Sequence, residues 1–560
     1  MRPPLFRALR SPCSLDLQPK RLFSRNTLSN RSLEPIPLRS LSSSSSPLPQ
    51  RGVSTGGRQH RDFSAPATQQ KEIHEPDADQ GRRWSTPLAQ KLAAAIDITG
   101  PVPLASYMRM CLTADIGGYY TGAIEEGRDQ FGLKGDFVTS PEISQVFGEL
   151  CGIWFVAEWM AQGRQSRGVE LIEVGPGRGT LMDDMLRTIQ RWPAMSHSID
   201  AIYMVEASPE LRLVQKKLLC GEDAPMTESK VGYHSVCKYN HLPIVWTDTI
   251  KSIPIAAEKM PFIMAHEFFD ALPIHAFQLV SVPATQTTSP SPTDTASPST
   301  KTSHPTLQWR ELLVSPTPPN STHATLNTPP SQSRDTPPPD FQLTISQQPT
   351  RHSLYLPESS PRYRALKQPS IGTGALVEIC PDLSLYASDF AARIGGSPKH
   401  PKPRASGAAL VLDYGPADGA VPTNSLRGIR RHRRVSPFAE PGLTDLSADV
   451  DFAALAEAAT RASEGVEVHG PVAQADFLET MGIRERVEQL TKAMMMMDND
   501  VGGEQGGGAG ETKAEDVRKA CARLVDRGPG GMGKVYKALA ILPENEGRRR
   551  PVGFGGDVAA

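Results

Sequence analysis

The stretch Val169-Glu-Leu-Ile-Glu-Val174, Gly175-Pro-Gly177-Arg-Gly179-Thr180, Leu181-Met-Asp-Asp-Met-Leu-Arg-Thr-Ile189 does most to fix the fold. A short apolar run reads as a buried strand, the glycines as a tight turn, and the 3.6-period pattern that follows as a helix. The same alternation continues. Ala201–Val205 is a strand followed by helical Pro209–Leu219, and Pro261–Ala265 and Ala408–Leu412 are further strands. Ile274–Val280 with Leu307–Val314 is expected as another edge of the same sheet. Strands alternating with helices predict an α/β fold with a parallel, doubly wound sheet covered on both faces. Ligands in such sheets bind beyond the carboxyl ends of the strands, which points to the residues just after Val174, Val205 and Ala265.

Glycines at 175, 177 and 179 let the backbone turn sharply and approach a ligand without Cβ interference. A dinucleotide fingerprint would want Gly or Ala at 180, where Thr180 stands. The spacing is G-x-G-x-G, with Glu173 two positions ahead of the first glycine. It suits S-adenosylmethionine better than a pyrophosphate: Glu173 can meet the cationic end while the glycine turn lies under the rest. Glu206 follows the second strand, placed to accept both ribose hydroxyls and to repel a 2′-phosphate. Two further segments carry acids to the same edge. Ala265-His-Glu267-Phe-Phe-Asp270-Ala-Leu-Pro273 leaves the third strand. In Gly135-Asp-Phe-Val-Thr-Ser140-Pro-Glu142-Ile-Ser144, Ser140 is expected to cap a helix running through Trp154 and Trp159.

Composition limits how much of the 560 residues can fold. Gly (46) and Pro (51) are frequent, and of the 18 residues from Pro283 to Thr300, 14 are Pro, Ser or Thr. Such tracts bury too little surface to offset chain entropy. Strand, long insertion and strand, with the insertion looping out of a hairpin, is the expected arrangement. The first 60 residues hold ten Arg or Lys against Asp16 and Glu34, with Ser in abundance, the composition of a mitochondrial transit peptide. Overall charge is balanced at −1, which argues against a nucleic-acid partner. No C-x-x-C pair and no run of about 18 apolar residues occurs, so neither a metal site nor a transmembrane segment is expected. The expected organisation is a transit peptide and disordered segment at 1–60, then the α/β domain that takes S-adenosylmethionine at 86–482, interrupted at about 283–368. A helical extension with a Gly-rich loop at 483–543 and a disordered tail at 544–560 complete it.

Gly118-Tyr-Tyr120, the segment 135–150, Ile172–Met182, Val205-Glu-Ala-Ser-Pro209 and Glu267–Pro273 together resemble the MidA family. So do Leu426-Arg-Gly with Ala439–Phe452, Gly470-Pro-Val with Phe477–Ile483, and Gly533–Leu542. The family comprises mitochondrial protein arginine methyltransferases that act as complex I assembly factors. The resemblance implies a class I S-adenosylmethionine-dependent fold and symmetric dimethylation of an arginine on a core complex I subunit near the quinone site, in the matrix. It places Glu173, Gly175, Gly177 and Gly179 along the cofactor and Glu206 on its ribose. His266 stands where the family usually has Asn, a bulkier residue that titrates near neutral pH. The Pro/Ser/Thr insertion is also absent from the family pattern.

An arginine methyltransferase must hold a guanidinium that is always charged, so acids are needed on the substrate side. Glu267 and Asp270 are the candidates, with Glu142 a third. Two other readings compete: a non-catalytic complex I assembly chaperone that keeps the fold, and a methyltransferase for a small molecule. The glycine turn and Glu206 favour an enzyme, and the C-terminal additions favour a protein-sized substrate.

Overall fold

A computed structural model of the chain describes residues 82–122, 136, 138–282, 306–326, 328–333, 337–368, 372–501 and 509–555. The transit-peptide reading and the core of the Pro/Ser/Thr tract lie outside the described residues.

The large sheet contains β1 (Val169–Val174), β2 (Ile199–Val205), β3 (Thr227–Glu228), β4 (Tyr233–Val236), β5 (Pro243–Thr247), β6 (Met260–His266), β7 (Ala408–Tyr414), β8 (Val466–Ala473) and β9 (Tyr536–Pro543). Their order across the sheet is β8-β9-β7-β6-β1-β2-β5-β4-β3. β7, β6, β1, β2 and β5 are parallel neighbours. β9 runs antiparallel between β7 and β8, so β8 shares the direction of the parallel set.

Alternation along each strand sends side chains to two cores. Val169, Leu171, Leu410, Leu412, Ala538 and Ala540 face one core, with helices Gln145–Ala161 and Thr180–Ile189. Ile172, Val174, Ala409, Val411, Leu539 and Ile541 face the other, with helices Pro381–Gly395 and Phe452–Ala462. Both faces are covered, which is why the strands read as continuous apolar runs. Each fully buried Val, Leu or Ile contributes about 1.5–3 kcal/mol by removal from water.

Four expectations need correcting. His275–Val282 and Thr306–Pro316 do pair as a hairpin, but in a separate five-stranded sheet and not at the edge of the large one. Residues after 305 are not a continuation of the insertion: Phe341–Ile345 pairs with Thr306–Pro316, and short helices follow at Arg351–Tyr355 and Pro361–Ala365. The Pro-rich composition hid these elements because each is only a few residues long. The stretch 483–543 is not wholly a helical extension. Helices Ile483–Val501 and Ala509–Val525 pack together, but β9 then returns into the large sheet. The residues 544–555 also belong to the folded unit. Arg549 makes a two-pronged ion pair with the fully buried Glu158, and Phe554 packs on Trp154 and Phe477. A long polar sequence with one such anchor has no apolar periodicity to announce it.

Candidate active site

β1 delivers Glu173 and the glycine turn to the carboxyl edge of the sheet. Gly175, Gly177 and Gly179 all have φ in the left-handed region (66°, 53° and 84°), which side-chain-bearing residues rarely adopt. At Gly175 space is also limiting: a Cβ would lie 2.7 Å from Cδ2 of Phe268. Gly179 ends the turn and opens helix Thr180–Ile189, its N–H donating to the Pro176 carbonyl at 2.8 Å.

The turn, β2 and β6 enclose a cavity of about 460 Å³ lined by Glu173, Gly175, Gly177, Glu206, His266 and Glu267, among others. Gly179 shapes the turn without lining the cavity. Glu173 is 2% exposed, and its Oε2 has no hydrogen-bond partner. Burial, reinforced by the neighbouring Glu206 carboxylate, pushes its pKa up to about 8. Glu206 is pushed up to about 7, again chiefly by burial, although the Ser208 N–H donates to its Oε1 at 2.8 Å.

Gln215, from helix Pro209–Cys220, ties these parts together. Its Nε2 donates to the Gly177 carbonyl at 2.6 Å and to Glu206 Oε2 at 3.2 Å, while Trp246 donates to its Oε1 at 2.9 Å. A buried amide with its donors and acceptor engaged locks the turn to the acid. Sequence reading missed Gln215, since a polar residue on an amphipathic helix gives no sign of facing inward.

The expected substrate-side acids separate. Glu142 lines the same cavity, where Thr180 donates to its Oε1 at 2.7 Å and Arg178 lies 3.7 Å from its Oε2. It is bound up with the glycine turn, away from Asp270. The predicted cap also moves: Ser140–Ile143 is a separate short helix, and Ser144 caps the helix carrying Trp154 and Trp159. The Ser140 backbone N–H and the Tyr536 hydroxyl lie beside the Glu267 carboxyl instead, where they favour its ionised form against the effect of burial.

Glu267 and Asp270 meet in a second cavity of about 240 Å³, lined also by Tyr120, Tyr414, Arg427, Asp445 and Tyr536. Glu267 and Tyr120 line both cavities. Glu267 has φ of 48°, a strained backbone for a residue with a side chain. Asp413, at the end of β7, holds that strain in place: its Oδ2 accepts the N–H groups of Phe268 (3.2 Å), Phe269 (2.9 Å) and Asp270 (3.3 Å). Tyr414 donates to Asp270 Oδ2, and Tyr120 donates to Asp445 Oδ1 at 2.9 Å. Oε1 of Glu267 and Oδ1 of Asp270 are buried without partners. Burial, and then mutual repulsion, raises the pKa of Glu267 well above the usual carboxylate range. Burial likewise raises Asp270, and lifts Asp445 to about 7. The nearby cation, Arg427, pairs with Asp449 at 2.7 Å and lies over the Tyr414 ring. This pocket carries more acid than base, and two of its carboxyls keep an oxygen without a hydrogen-bond partner.

His266, the last residue of β6, does not titrate near neutrality as its type suggests. Burial against Phe147 lowers its pKa to about 3, so it stays neutral, with Nε2 3.4 Å from Glu267 Oε1. Asp413 was within reach of sequence reasoning, because it ends a recognised strand at the ligand edge. Tyr120, Asp445 and Tyr536 lie in stretches that carry the family resemblance, but nothing in those stretches placed them in this pocket.

Comparison with known proteins follows the same lines. A family profile described as "Putative S-adenosyl-L-methionine-dependent methyltransferase" matches residues 150–472. The zebrafish (Danio rerio) protein named protein arginine methyltransferase NDUFAF7, mitochondrial, is 34% identical over 405 residues, 72% of this chain and 78% of its own. The human protein of that name is 35% identical over 410 residues, 72% and 75% of the two chains. The Drosophila melanogaster homolog is 32% identical over 460 residues, covering 81% and 85%. A crystal structure from Burkholderia thailandensis, solved with S-adenosyl-homocysteine bound, superposes with a TM-score of 0.53 at 21% identity, over 84% of this chain and 93% of that one. It supports the α/β methyltransferase fold.

Proposed function

Because the chain belongs to the S-adenosyl-L-methionine-dependent methyltransferase family that includes the NDUFAF7 proteins, we propose that it methylates an arginine of a protein substrate. The observation that carries this reading is the pair of adjoining cavities, joined at Glu267 and Tyr120, with Glu267 and Asp270, two carboxyls that each keep a buried oxygen without a hydrogen-bond partner, lining the smaller one. The strand order, with antiparallel β9 inserted between β7 and β8, supports the class I form of the fold.

The larger cavity fits the cofactor by size and chemistry. Ligand pockets run from about 300 to 1,000 Å³. The glycine turn offers bare backbone, Glu206 stands at the end of β2 for a ribose, and Glu173 Oε2 awaits a partner. Bound S-adenosyl-L-methionine supplies an electrophilic methyl group. The protein's own residues present the nucleophile. A guanidinium entering the smaller cavity keeps its charge at any working pH and donates N–H groups to Glu267 Oε1 and Asp270 Oδ1. Its arrival favours the ionised form of both acids. As one nitrogen gains a carbon it gives up a proton, and Glu267, reaching both cavities, is placed to receive it. Asp413 and Tyr414 hold the two acids in register.

The proposal extends to symmetric dimethylation of a core complex I subunit near the quinone site, in the mitochondrial matrix. The family resemblance, the basic N-terminal segment and the mitochondrial names of the relatives support this extension. Mass spectrometry of complex I core subunits tests it, in cells lacking the protein and complemented with wild type, Gly177→Val or Glu267→Gln. Symmetric dimethylarginine should appear with wild type alone. A wild-type chain that restores complex I while leaving no mark would instead establish the non-catalytic assembly role.

A further inference from the structure

The separate five-stranded sheet carries a cluster unrelated to either cavity. His275 opens the strand His275–Val282, Glu311 lies in the adjacent strand Thr306–Pro316, and His352 lies in helix Arg351–Tyr355. Glu311 pairs across the ladder with Phe277, so His275, two residues along, is its diagonal neighbour on the same face. The capping box of Thr350 and Ser353 starts the helix just where His352 must turn inward. Nδ1 of His275 lies 2.8 Å from Glu311 Oε1, and Nδ1 of His352 lies 3.2 Å from the same oxygen. The three ligating atoms all fall within 4.8 Å of one another.

We propose that His275, Glu311 and His352 form a binding site for a divalent transition-metal ion of the zinc class. Two imidazoles and one carboxylate are a donor set that such ions favour. Bonds of about 2.0–2.1 Å in a tetrahedral site place ligand atoms roughly 3.3 Å apart, so small side-chain adjustments admit the ion. Three further observations favour a metal over a plain hydrogen-bonded cluster. Glu311 is only 1% exposed, and among the described residues its ion-pair partners are the two imidazoles, with no Lys or Arg. A buried carboxylate wants a cation beside it. Its second oxygen, Oε2, accepts the Thr350 hydroxyl, which is fixed in turn by the helix cap, the kind of outer support that orients a ligating carboxylate. Finally, the His352 side chain is 42% exposed, leaving an entry path and an open fourth position for water. The ion would clamp the segment after Phe341–Ile345 onto the sheet. The sequence alone assigns no metal ligand because these residues come from three separated segments.

Zinc titration of the full chain, prepared without a histidine tag and stripped with chelator, tests the site. The wild type should take up about one Zn²⁺ per chain and melt at a higher temperature with it, and Co²⁺ in its place should give a tetrahedral absorption spectrum. His352→Ala removes a half-exposed ligand without opening the core and should lose that ion, the spectrum and the melting shift. Glu311→Gln should do the same. A wild type that binds no Zn²⁺, or a His352→Ala chain that binds as much as wild type, overturns the proposal.

Discussion

Glu173→Gln isolates the electrostatic strain that the larger cavity stores. In the folded chain burial and the Glu206 charge hold the Glu173 pKa near 8, against an ordinary value of 4.5. A carboxyl with a raised pKa keeps its proton in the folded state where the unfolded chain has already lost it. Stability therefore falls as pH rises from about 4.5 to about 8 and is level on either side. The whole window is worth ~5 kcal/mol at 1.36 kcal/mol per unit. Gln keeps the shape and cannot ionise. Its buried amide N–H group adds a fixed penalty of about 1–3 kcal/mol, but that offset does not change with pH. The prediction concerns the slope. Urea unfolding of the cofactor-free chain should show the variant gaining ~4 kcal/mol on wild type between about pH 5 and about pH 9. Parallel pH profiles would refute the argument that Glu173 is a desolvated, uncompensated acid. Cofactor binding adds a second readout. If a cationic ligand group meets Glu173, wild type should release a proton on binding near neutral pH, and the variant should not. Calorimetry in buffers of different ionisation enthalpy measures that proton.

Gly177→Val places a β-branched residue at φ of 53°, a strain of about 1–3 kcal/mol, and fills the turn. It should abolish cofactor binding by calorimetry while the chain stays folded, and unchanged affinity would remove the site from this turn. Asp413→Ala strips three backbone N–H groups of their acceptor. It should cost about 3 kcal/mol or more in denaturant unfolding and lower methyl transfer far more than cofactor affinity. Arg549→Ala leaves Glu158 as a buried, unpaired anion and should destabilise by about 3–5 kcal/mol, read as a lowered urea midpoint.

The lining of the larger cavity was legible in the sequence because it is local. Glu173, Gly175 and Gly177 belong to one strand and its turn, and Glu206 sits one strand later, so strand–turn–helix periodicity brings them to one edge of the sheet. The acid pocket was half legible. Glu267 and Asp270 share a short segment after β6, but Asp413, Asp445, Tyr120 and Tyr536 reach it from four other places in the chain. Their roles depend on which strands are neighbours, and sheet order is not written in any window of residues. The misplaced hairpin shows the same limit. Pairing of Leu279 with Trp309 follows from alternation, yet nothing in that alternation says which sheet the pair joins. His266 illustrates a different one: residue type alone gives a titrating imidazole, and complete burial turns it into an inert neutral ring.

The position of β9 governs when the protein becomes itself. Synthesis delivers β7 and β8 first and leaves a slot between them, with ladder groups on both sides unpaired until residues 536–543 arrive. The strand that fills the slot also brings Tyr536 to Glu267. A nascent chain thus carries both edges of its gap exposed from the completion of β8 at residue 473 until β9 begins at residue 536, with the prematurely ended forms open to aggregation. No partial product has a complete acid pocket, so assembly of that pocket and closure of the sheet are a single late event.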